Sequence, residues 1–168
     1  MILVEYCQTM ARYNAWQHDS VSRCMSALDE AERVKDRGAF FGSLMATCNH
    51  LLWGDQLWMS RFDGGYGPTV DAKDNTTLHS DFQRYLDDRQ RTNARIRRWA
   101  DQLTQIDLTG PMVWYSGVLK RSVTKPKAIC IMHFFNHQIH HRGQIHCMLT
   151  AAGATPDDSD LFIMPQET

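Results

Sequence analysis

Apolar residues recur at spacings of three and four along the first part of the chain. Leu3, Cys7, Met10, Ala11, Tyr13, Trp16, Val21, Met25 and Leu28 follow this pattern with no Pro or Gly between them. That period is one face of a helix, so residues 3–28 are predicted as the first helix. Residues 29–42 turn charged and end in Gly38-Ala39-Phe40-Phe41-Gly42, the composition of a connection. Ser43 is placed to cap a second helix carrying Leu44, Cys48, Leu51, Leu52, Leu57, Trp58 and Phe62. Asp63-Gly64-Gly65 ends it, and a polar loop runs to residue 79. Ser80 with Gln83 has the spacing of a capping box for a third helix over about 80–106. Its stripe is Phe82, Leu86, Ile96, Ala100 and Leu103, interrupted by Arg89 and Asn93. This face is therefore expected to be imperfect or exposed, or else to line a wet cavity.

Gly110-Pro111 breaks the pattern again. The β-prone runs Met112-Val113-Trp114-Tyr115 and Val118-Leu119 flank Ser116-Gly117, which predicts a short hairpin. Pro126 suits the first turn of a fourth helix, which runs to about Thr150 and is ended by Gly153. Ala154–Thr168 is expected to drape over the surface. The predicted fold class is all-α: a four-helix bundle with a short hairpin before the last helix, in one domain over residues 1–168.

Composition narrows the function classes. A chain of 168 residues with 43% hydrophobic positions suits one domain, able to bury about 70% of its unfolded surface. Eighteen basic and 19 acidic residues give a formal charge of −1, which argues against nucleic acid as the partner. No apolar run approaches the roughly 20 residues of a membrane span, and the N-terminus lacks the pattern of a signal peptide. The five cysteines, Cys7, Cys24, Cys48, Cys130 and Cys147, form no C-x-x-C pair. They read as small buried hydrophobes in a reducing compartment, so a cytoplasmic protein is expected.

The histidines alter the picture most. Five of the eight fall between His133 and His146. His137 and His141 are one helical turn apart, so their rings share a face and can hold one ion. Two ligands are too few, and His50, inside an apolar stretch of the second helix, is the best third candidate; Gly54, one turn on, would leave room beside its ring. His133 shares the face of His137, so that pair is an alternative. His140 and His146 are read as surface or supporting groups, and His18 and His79 as ordinary surface residues.

These residues also resemble a known family. His50-Leu51-Leu52-Trp53-Gly54-Asp55-Gln56-Leu57-Trp58 looks like the H-x-x-x-x-D-x-x-W segment of the DinB family. Asn136-His137-Gln138-Ile139-His140-His141-Arg142-Gly143-Gln144 resembles its N-H-x-x-H-H-R-G-Q signature. Tyr13-Asn14-Ala15-Trp16 is similar to its Y-N-x-W pattern, and Leu149-Thr150-Ala151-Ala152-Gly153 to its end of the last helix. The resemblance implies an up-down-down-up bundle, a divalent metal on His50, His137 and His141, and a homodimer. It further implies thiol-dependent S-transfer to an electrophile, as in relatives that use bacillithiol, mycothiol or glutathione-like thiols.

Three neutral imidazoles leave an ion with open positions, the arrangement of a catalytic rather than a structural site. The expected cofactors are one divalent ion, zinc or nickel, and a low-molecular-weight thiol cosubstrate acting on a small-molecule substrate. A hydrolase that activates water at the same ion is the alternative, as is a non-catalytic metal-binding dimer of the stress response. Asp55 and Gln144 are candidates to support the ligating rings, although Asp55 points about 140° away from His50 and better suits a structural hydrogen bond. Arg142 suits a substrate carboxylate or a salt bridge to a neighbouring helix. Tyr115 and Trp114 suit a pocket wall or core packing.

Overall fold

The stripe at the N-terminus folds as α1 (Val4–Ala27), with Cys7, Met10, Ala11, Val21 and Met25 buried along it. The computed structural model describes residues 2–117 and 119–166. The connection after α1 holds a short helix, α2 (Glu30–Val34), capped by the Asp29 carboxylate, which accepts from the Glu32 amide at 2.8 Å. Ser43 caps α3 (Leu44–Phe62) as expected: its hydroxyl accepts from the Ala46 amide at 3.2 Å. Asp63 ends α3, and the following loop holds a 3-10 turn at Ala72–Thr77.

The third long helix starts later than expected. Asp81, not Ser80, is its cap, with the carboxylate accepting from the Arg84 amide at 2.8 Å. A carboxylate caps as well as a hydroxyl, and it satisfies the same orphan amides from one position further on. This helix, α4, spans Phe82–Gln102 and stops short of residue 106 because Leu103 is extended. A reciprocal capping box between Thr104 and Asp107 then opens a separate 3-10 turn, Gln105–Leu108.

The hairpin pairs β1 (Pro111–Ser116) with β2 (Arg121–Pro126), antiparallel, with Trp114 opposite Val123. Its connection is longer than a Ser-Gly turn: Ser116 still belongs to β1, and Leu119 lies in the turn. Val118, expected in the second strand, is outside the described residues. Pro126 sits just before α5 (Lys127–Ala151) as its cap. Gly153 ends the helix at φ +80°, where the Ala154 amide reaches the Leu149 carbonyl and the Gly153 amide the Thr150 carbonyl, both at 3.0 Å. The tail then lies along α1. Tyr13 donates to the Ser159 carbonyl at 2.6 Å, Gln17 to the Asp158 carbonyl at 3.0 Å, and Ser20 Oγ accepts from the Asp157 amide at 2.8 Å. Glu167 and Thr168, also expected in the tail, are outside the described residues.

The chain is mostly helical, with this one small sheet among the described residues. α1 packs against α4 and α5, and α3 packs against the same two. Their interior holds two apolar clusters. One gathers Met10, Met59, Ile96, Trp99, Ile131 and Phe134; the other gathers Met25, Leu44, Leu52, Tyr85, Ile145 and Leu149. Between them lies a buried polar layer, and it overturns the reading of the third stripe as imperfect or exposed. Arg89 is only 2% exposed and donates to Asp55, itself 0% exposed, at 2.6 Å. Asn93 is buried against His18, with Oδ1 and Nδ1 3.0 Å apart. His18 is therefore no surface residue. Neither is His79, whose Nε2 lies 2.8 Å from the Asp88 carboxylate and whose amide donates to Asn49. Among the described residues, no helix is long and apolar enough to cross a membrane.

Candidate metal centre

His50 comes from α3, and His137 and His141 come from consecutive turns of α5, which packs beside it. One ring nitrogen from each can be chosen so that all three lie within 4.8 Å of one another. The ring centres are 4.4 Å apart for His137 and His141, 4.6 Å for His50 and His141, and 5.2 Å for His50 and His137. His50 Nε2 and His137 Nε2 face each other at 3.2 Å. Two imidazole nitrogens so placed call for a proton or a cation between them, so the donor set fits a metal ion.

Two of the rings are oriented from behind. His50 Nδ1 lies 2.7 Å from Asn75 Oδ1, and His141 Nδ1 lies 2.8 Å from Gln144 Oε1. An amide oxygen only accepts, so each Nδ1 carries the proton and each Nε2 lone pair is left for a ligand. His137 is placed sterically. A Cβ on Gly54 would stand 2.9 Å from His137 Cε1, so the room expected beside His50 is in fact taken by His137. Phe41 covers the group, with its ring centre 4.1 Å from His50 and 5.6 Å from His141.

Electrostatics keep the rings neutral. Burial pulls the His137 pKa down to about 3, reinforced by repulsion from His141 and His50. Burial brings His141 down to about 4, against the hydrogen bond it donates to Gln144. His50 is lowered by burial as well. At neutral pH all three are in the ligand form, with no proton to displace.

The other candidates separate clearly. His133 is exposed and packs on Trp58, its ring centre 5.1 Å from the indole and 5.9 Å from His137. It stands outside the group of three. Gln144 touches the centre through His141, whereas Asp55 faces away. Full burial pushes the Asp55 carboxyl up in pKa and the neighbouring Arg89 opposes this, while Gln138 donates to its other oxygen at 2.9 Å. Arg142 departs from the salt bridge expected of it. It makes no salt bridge among the described residues; it donates to Asn14 Oδ1 and lies 5.1 Å from the Tyr13 ring centre. Tyr115 is 65% exposed and, with Trp114, walls a cleft of about 620 Å³ beside α3. Cys7, Cys24, Cys48 and Cys130 are buried as expected, but Cys147 is exposed. Asn75 and Phe41 were missed from sequence. Asn75 carries no local signal because it reaches His50 from a loop 25 residues on, and Phe41 because its place over the rings is set by how the connection before α3 folds back.

The profile of the DinB family matches residues 3–167. Among solved structures, a DinB-like protein from Bacillus cereus ATCC 10987 is similar at a TM-score of 0.64 with 17% identity, covering 84% of this chain and 89% of that one. That likeness is one of fold. No curated protein matches the sequence. With a family profile spanning almost its whole length and three histidines gathered from the two signature helices, the chain belongs to the DinB family.

Proposed function

We propose that the chain is a divalent-metal-dependent enzyme that transfers a low-molecular-weight thiol to an electrophilic small molecule, with His50, His137 and His141 as the metal ligands. The observation that carries this reading is the convergence of three neutral imidazoles with no carboxylate or cysteine among them. Zinc or nickel suits such nitrogen donors. When bound, a divalent ion there acts as a Lewis acid and lowers the pKa of a coordinated thiol or water. Asn75 and Gln144 orient their rings, Gly54 admits His137, and Phe41 shields the group from water. The chain's own thiols support the need for a cosubstrate. Burial pushes Cys48 up to about 12 and Cys7 up to about 11, and exposed Cys147 lines a different hollow, with Tyr13 and Arg142.

The element order supports the finer fold reading as well. α1 and α5 run from the Met10 cluster to the Met25 cluster, while α3 and α4 run the other way, consistent with an up-down-down-up four-helix bundle in one domain over residues 1–168. We place the protein in the cytoplasm as a homodimer, with neither nucleic acid nor membrane as partner. Elemental analysis of the purified protein is the first test. His137→Ala is expected to remove most of the metal while leaving the helical circular dichroism intact, and unchanged metal content would sink the ligand assignment. The loaded protein is then offered 1-chloro-2,4-dinitrobenzene. Product only on adding a thiol supports transfer, whereas thiol-independent hydrolysis of an activated ester assigns the hydrolase.

A further inference from the structure

α3 continues from His50 through Trp53, Leu57, Trp58 and Arg61, and these side chains floor the cleft of about 620 Å³. The loop at 67–72 makes one wall and the hairpin residues Trp114 and Tyr115 the other. Such a volume is typical of small-molecule sites. The cleft is mostly indole and aliphatic surface, with one cation in it. The Arg61 guanidinium carbon lies 4.7 Å from the Trp58 ring centre and 5.4 Å from that of Trp114. Neither ring offers an oxygen acceptor, so these contacts leave guanidinium N–H donors for another partner.

No protein oxygen among the described residues takes those donors. Among the described residues, Arg89 bonds to Asp55, Arg95 to Asp63 and the Tyr66 carbonyl, and Arg142 to Asn14. Half-buried Arg61 has no such hydrogen bond among them, and burial lowers its pKa with no carboxylate opposing the shift. Asp71, the acid on the cleft's rim, is exposed and makes no ion pair with it. A half-buried guanidinium whose donors no oxygen among the described residues takes is suited to a carboxylate. The cleft also adjoins the metal centre, because the Trp58 indole that floors it packs on His133, which packs on His137.

We propose that this cleft binds a planar aromatic or similarly flat organic acid, its carboxylate on Arg61 and its body against Trp58, Trp114 and Tyr115. That the bound acid is the electrophile of the reaction rests on the function proposed above; that the cleft binds such an acid does not.

The test is a fluorescence titration of EDTA-stripped protein with 2-naphthoate and with its neutral analogue 2-naphthamide. Stripping removes any route by which the carboxylate binds an ion instead. Naphthoate is expected to bind about tenfold or more tightly than the amide. Arg61→Met should erase that preference while leaving the amide within about twofold. Equal affinity of the two probes, or an unchanged preference in Arg61→Met, overturns the proposal. Should Arg61→Met not fold by circular dichroism, Trp114→Ala serves instead: it should weaken both probes, and unaltered binding of both overturns the proposal. In the loaded enzyme, competitive inhibition of transfer by naphthoate ties the cleft to the electrophile. Binding without inhibition overturns that assignment and leaves the acid site standing.

Discussion

His137 occupies space that any side chain at position 54 would claim. A Cβ there would come to 2.9 Å of the imidazole, and the ring cannot retreat without leaving the other two. Gly54→Ala therefore sets two effects against each other. In the interior of α3, alanine favours the helix by about 1 kcal/mol over glycine. At the centre it displaces a ring. The expected outcome is a protein whose metal content drops sharply while its helical signal holds, read by elemental analysis beside circular dichroism. Full metal content in that variant would mean the ring accommodates the methyl group and position 54 does not shape the site. The sequence shows a glycine one turn from His50, but the ring it makes room for belongs to another helix. Its value is legible only once α3 and α5 are side by side.

At the scale of the helices, the polar layer ties α3, α4 and α5 together through Arg89, Asp55 and Gln138. Removing one member of a buried ion pair leaves the other charge stranded. Arg89→Met is expected to cost about 3–5 kcal/mol in urea denaturation, whereas the double variant Arg89→Met/Asp55→Asn should recover a large part of that loss. Purely additive costs would show that the two do not act as a pair. The same layer marks where sequence reading stops. Ser43 and Gly153 were legible because a cap is satisfied within a few residues of itself. The stripe of α4 was legible as a helix, but its Arg89 and Asn93 looked misplaced because Asp55 and His18 lie on other helices. The apolar period says which face turns inward; it does not say what polar partner waits there.

Across the whole molecule, the depressed histidines set the dependence of stability on pH. His18, fully buried near Arg89 and Arg142, is lowered well below its ordinary value, chiefly by burial, and His137 and His141 fall to about 3 and about 4. In the unfolded chain they titrate near 6.5. Between those limits the unfolded state binds more protons, so stability is full above about pH 6.5 and is lost as pH falls towards 4. The urea midpoint of metal-free protein should therefore decline over that window. His137→Gln should make the decline shallower by about one proton, and an unchanged slope would count against a depressed His137. The loop at 63–79 belongs to this scale too. Asn75 in it steers His50, its Val70 carbonyl accepts from Trp53, and its residues 67–72 wall the cleft. One segment thus touches both the histidines and the cleft. Were an ion held by His50 and a molecule by the cleft, linkage would make any influence mutual: the factor by which a filled cleft altered the ion's affinity would be the factor by which the ion altered the cleft's. Any coupling carried by that loop would appear as a difference in the cleft's affinity with and without the ion.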